Sequence, residues 1–100
     1  MKVQNMKSNN DREIPNQFII SEEGRGANGN FKTKEVFQSY ESVIVEKIVW
    51  DNETRITLDE KYWDYSKTTG KYRNLFLGET KKETLAKIKS GKYQLENLNG

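Results

Sequence analysis

Between Ser66 and Asn99 the chain carries start and stop signals for two short helices with only Gly78-Glu79 between them. Ser66, Thr68 and Thr69 are all candidate N-caps, because a hydroxyl at that place accepts from an orphan backbone N–H. Tyr72, Leu75 and Phe76 follow at i, i+3 and i+4 and form one apolar stripe. Gly78 sits just past Leu77, where a left-handed residue closes a helix, so a first helix of about nine residues is predicted to end there. Thr80-Lys81-Lys82-Glu83 then fits a capping box, with Thr80 as the cap and Glu83 reaching back. Leu85 and Ile88 supply the buried stripe, Lys87 and Lys89 suit the negative end of the helix dipole, and Gly91 stops the helix. Two helices joined this closely cannot lie comfortably antiparallel. The glycine-bearing joint predicts a sharp crossing, the geometry of a helix-turn-helix.

The segments before these helices are read less sharply. Ser42–Trp50 is rich in β-branched residues and reads as a strand. Asp51-Asn52-Glu53-Thr54 supplies turn residues, and Arg55-Ile56-Thr57-Leu58-Asp59 alternates like a strand with one buried face. Together they predict a β-hairpin over residues 42–62, with Ile56 and Leu58 facing residues from Ile44, Ile48 and Trp50. Tyr62, Trp63 and Tyr65 are expected to plug the core between hairpin and helices. Lys92–Glu96 alternates and reads as a closing strand. The spacing of Val36, Phe37 and Tyr40 suggests a short helix or an irregular turn. Residues 1–33 mix Asn, Gly and scattered charge and read as a flexible tail. Phe18-Ile19-Ile20 within it is either an edge strand or a docking segment. The Gly-rich piece at residues 23–29 lacks the Gly-Lys-Ser/Thr ending of a phosphate loop and reads as a linker. The expected organisation is a disordered N-terminal tail over residues 1–33 and one α+β domain over residues 34–100. In that domain a β-hairpin precedes a helix-turn-helix and a short closing strand.

Composition narrows the chemistry. The chain has 100 residues, with 33% hydrophobic and 32% charged residues. Its mean hydropathy of −0.99 leaves room for only a modest core. It has no Cys and no His, which removes thiol catalysis, the commonest general base and the commonest metal ligand. Asp59 and Glu60 adjoin but point to opposite faces of a strand, so they make a poor metal pair. No enzyme activity, metal or cofactor is expected. No apolar run approaches a membrane span, and the N-terminus lacks the apolar stretch of a signal peptide, so a cytoplasmic location is expected. The net charge is only +2, but it is unevenly spread: residues 62–92 hold eight Lys/Arg and three Asp/Glu, whereas residues 34–61 hold four and seven. The basic stretch marks where an anionic partner would dock.

These residues resemble helix-turn-helix DNA-binding proteins, with Gly78 at the turn, Thr80 at the polar start of the recognition helix, Leu85 and Ile88 at its inward positions, and Ile88-x-x-Gly91 at its end. The stretch Trp63-Asp64-Tyr65-Ser66-x-Thr68-Thr69-x-x-Tyr72-Arg73-x-x-Phe76-Leu77-Gly78 is also similar to small proteins of Gram-positive phages and conjugative elements. A winged helix-turn-helix is the comparison that the hairpin invites, although here the hairpin precedes the helices. The resemblance implies sequence-specific binding of double-stranded DNA in a mobile element, as a transcription regulator or a plasmid-transfer (conjugation) accessory factor; a monomer this small buries little DNA surface, so specific binding favours a homodimer or tandem sites.

Under that reading the second helix enters the major groove, with Thr80 and Lys81 at its start. Lys82 and Lys87 point outward and Thr84 lies on the flank, so that Lys82 reaches guanine and Thr84 packs on a thymine methyl. Thr68, Thr69, Lys71 and Arg73, near the start of the first helix, hold a phosphate. Arg73 has a second reading, a surface ion pair with Asp64 or Glu79. At the hairpin tip Asn52 and Arg55 compete as readers of an A·T-rich minor groove. The competing function is a phage-type inhibitor that binds a host defence protein through the acidic residues 34–61.

Overall fold

A computed structural model describes residues 1–24, 33–50 and 53–100. Six strands, β1 (Lys2–Lys7), β2 (Glu13–Glu23), β3 (Thr33–Ser39), β4 (Ser42–Val49), β5 (Thr54–Asp59) and β6 (Gln94–Glu96), form one sheet in chain order. The first five pair antiparallel, and β6 adds parallel to β5. Two helices, α1 (Lys67–Leu77) and α2 (Lys81–Lys89), form the crossover from β5 to β6. No helix among the described residues is long and apolar enough to cross a membrane.

The core follows from one cross-strand row. Ile19 pairs with Phe37, Phe37 with Val45, and Val45 with Leu58, so alternation aims all four side chains at the same face. Phe37, Val45 and Leu58 are fully buried. A register shift between Phe37 and Gln38 inserts an extra residue in β4, and Ile44 joins the same core beside Val45. α1 lies on this face through Thr69, Tyr72, Arg73, Phe76 and Leu77, the i, i+3, i+4, i+7, i+8 stripe of an amphipathic helix. Phe76 stacks on Phe37 with ring centroids 5.8 Å apart, and the Ser39 and Thr69 hydroxyls meet at 3.0 Å. At the far edge the chain crosses the end of β5: Asp59 accepts from the Leu98 N–H at 2.8 Å, and the Asn99 carboxamide pairs with both backbone groups of Val43. Asn99 thus continues the β4 ladder where β5 has ended.

Both helices form where their caps place them. Ser66 accepts from the Thr69 N–H, so Thr68 and Thr69 lie inside α1. Gly78 closes α1 in the left-handed region at φ 69°, a conformation that suits a residue without Cβ. Thr80 and Glu83 form both halves of the capping box.

The winged helix-turn-helix expectation is overturned. The molecule is mainly a six-stranded mixed sheet, and its two helices are a covering layer on one face. The expected disordered tail is also corrected: residues 1–23 supply β1 and β2, and Phe18-Ile19-Ile20 is the middle of a strand with a neighbour on each side. The segment around Val36 and Phe37 is β3, not a helix. The hairpin over residues 42–62 is present as β4–β5, but it lies inside the sheet and is no free wing. Within it Ile56 faces Lys47 and Leu58 faces Val45, while Ile48 pairs with Arg55 on the opposite face. The physical reason is pairing over long range. β1 and β2 gain their order from cross-strand partners, which local composition does not reveal.

Candidate nucleic-acid interface

Three carboxylates sit in the helical layer, and each has a partner within it. The Asp64 carboxylate receives Arg73 at 3.2 Å and Lys81 at 2.7 Å. The Arg73 guanidinium is itself buried, at 1% exposure. It donates to the Trp63 carbonyl at 2.7 Å and to Asn74 Oδ1 at 2.9 Å, and it lies over the Trp63 ring at 5.3 Å. Glu79 accepts from the Thr84 hydroxyl and from Lys87 Nζ, each at 2.6 Å, and from the Tyr93 hydroxyl at 2.9 Å. Glu83 is held by the Thr80 N–H and hydroxyl in the capping box.

Apart from the capping Glu83 and the paired Asp64, the exposed charge of the layer is positive. Lys67, Lys71, Lys82, Lys89 and Lys92 are exposed and form no ion pair among the described residues. Lys81 is exposed beside Asp64. A shallow cleft of about 590 Å³ at the start of α1 is lined by Asp64, Ser66, Lys67, Lys71, Arg73 and Lys81, among others. The first turn of α1 has no acid, and the one carboxylate in the cleft, Asp64, is paired with Arg73 and Lys81. The arrangement suits a row of phosphates.

The structure divides the sequence-predicted site residues into two groups. Thr68, Lys71, Lys81 and Lys82 are exposed on the helical layer. Thr69 and Thr84 are fully buried, bonded to Ser39 and Glu79. Arg73 is an internal strut: Asp64 is its partner, one of the two named in its second reading, but the guanidinium is buried and the pair is not a surface one. Lys87 is tied to Glu79, and Thr80 is a cap. Arg55 stacks on Trp50 at 5.1 Å. It lies opposite Ile48 on the sheet face away from the helices, so it shares no surface with the lysine layer. Asn52 lies outside the described residues. Sequence reasoning missed Lys67. Its signal was a lysine directly after a capping serine, on a first turn free of acids.

Burial pushes the Glu79 carboxyl up, but the Lys87, Thr84 and Tyr93 donors outweigh it and hold its pKa below the ordinary glutamate value. Asp64 is held low against its burial by Lys81 and Arg73. Asp59 is held low against its burial by the N–H groups of Leu98, Tyr62 and Lys61. A carboxylate with a lower pKa folded than unfolded adds stability above the unfolded value and loses it as pH falls through the folded one. With no His in the chain, no side chain of ordinary pKa titrates at neutral pH. The melting temperature is therefore expected to stay level from about pH 5 to 8 and to drop steeply below about pH 4. Circular dichroism melts at stepped pH check this, and a rise in stability on acidification contradicts it.

No curated protein and no solved structure matches this chain. A family of unknown function, DUF8033, matches residues 1–92, which takes in β1 to β5 and both helices. The chain, with its sheet and lysine-faced helical layer, belongs to that family.

Proposed function

We propose that the protein binds double-stranded DNA through the phosphate backbone, using the outer side of the helical layer. One observation carries the reading. The acids of that layer are paired or capped within it, while Lys67, Lys71 and Lys81 line one cleft and the exposed Lys82 follows Lys81 on α2. Phosphate contacts position a protein and carry no base information. Thr84 and Lys87, the side chains suited to base edges, face Glu79 instead. Affinity is thus expected to vary little with duplex sequence.

The test is fluorescence anisotropy with a labelled duplex at low salt. Changing Lys67, Lys71 and Lys82 together to Ala is expected to weaken binding about tenfold or more, with the melting temperature unchanged, since exposed charges add little to stability. Equal binding by wild type and variant removes this surface from consideration. A tightly preferred operator sequence contradicts the backbone mode.

A further inference from the structure

The sheet has a second face, and no helix lies on it among the described residues. Strand alternation gathers apolar side chains there. Val3 faces Ile20, Ile20 faces Val36, Lys34 faces Ile48, and Phe18 lies one row away. None of these apolar side chains packs against the core cluster. Val3 is 57% exposed, and Phe18, Ile20, Val36 and Ile48 are each partly exposed. At the middle of the face, beside Val36, stands one ion pair, Lys34 to Glu46 at 3.5 Å.

We propose that this face docks on the same face of a second copy, giving a two-fold, back-to-back dimer. Charge selects the occupant. The patch is apolar with Lys34 and Glu46 at its middle, Glu22 beside Lys34 and Arg55 beside Ile48, a balance of two cations and two anions that matches neither a polyanion nor a charged membrane. A two-fold copy presents the same pair reversed, so Lys34 of each protomer meets Glu46 of the other. Self-complementarity of this kind is what a two-fold interface requires. Four strands at about 4.8 Å spacing and about six residues at about 3.3 Å give a patch of about 400 Å² per copy. That is half the roughly 800 Å² per partner of a standard interface, so the association is weak and depends on concentration. The dimer carries its two lysine layers on opposite outer sides and thereby bridges two duplexes. The bridging rests on the proposed DNA reading; the dimer does not.

Sedimentation from about 1 µM to about 1 mM full-length protein tests it, a range suited to the weak, transient association expected of so small an interface. Wild type is expected to pass from monomer to dimer. Lys34→Glu alone and Glu46→Lys alone are each expected to stay monomeric, with melts confirming that both fold. An equimolar mixture of the two is expected to dimerise, because every cross-pair is then opposite in sign. A wild type that stays monomeric at the highest concentration overturns the proposal. So does self-association that Lys34→Glu leaves intact, or a mixture that fails to pair. Dimers that do not co-sediment two duplexes overturn the DNA reading and leave the interface standing.

Discussion

Arg73→Ala is expected to lower stability by about 3 kcal/mol, toward the low end for breaking a buried ion pair. For a domain of this size that is a fall of about 12–24 °C in melting temperature. The change removes the cation stacked on Trp63 and strips the Trp63 carbonyl and Asn74 of their donor. The low end applies because Asp64 keeps Lys81 and remains in contact with water. Arg73→Lys is expected to recover less than half of the loss. An ammonium carries the charge but not the planar fork that reaches Trp63, Asp64 and Asn74 together. Thermal denaturation of the two variants checks this. If Arg73→Ala melts like wild type while losing DNA, Arg73 is a ligand contact and not a strut.

Glu79→Ala has the second large effect. Glu79 is the shared acceptor of two buried hydroxyls, Thr84 at 0% exposure and Tyr93 at 6%. Each loses its partner in the variant, and an unsatisfied buried group costs about 1–3 kcal/mol, so a loss of about 2–4 kcal/mol is expected. Glu79→Gln keeps an acceptor oxygen and is expected to restore part of the stability. Its acid transition should also start at lower pH, because one of the depressed carboxylates no longer titrates. Chemical denaturation at neutral and acid pH separates the two effects. Equal stability of Glu79→Ala and wild type contradicts the network.

Local signals in the sequence were strong where a single turn of backbone sets the outcome. Gly78 and the Thr80–Glu83 box need only their own neighbours, and both helix ends stand where those residues put them. The β4–β5 pairing was legible because Ser42–Trp50 is rich in β-branched residues and Asp51–Thr54 supplies a turn. β1 to β3 were not. Gln17 and Ile19 point at the helices while Phe18 and Ile20 point away, so β2 is apolar on both faces and shows no two-residue period. The site was half legible for a related reason. Helical periodicity shows which side of α2 faces out, but it does not show that Glu79, before the helix, reaches over Thr84 and Lys87 and withdraws them from the surface. Likewise Arg73 lies on the same stripe as Phe76 and Leu77, a position that reads as buried only once Asp64 and the Trp63 carbonyl are known to meet it.

The salt dependence of duplex binding tests the assignment of the lysine layer most directly. Four lysines on four phosphates give a slope of log K against log salt of about −3.6, so affinity falls about a hundredfold between about 50 and 200 mM salt. Removing Lys67, Lys71 and Lys82 is expected to flatten that slope to about −1, while the folded state is unchanged. A slope near zero in the wild type, or one that the three substitutions leave as steep as before, contradicts the account.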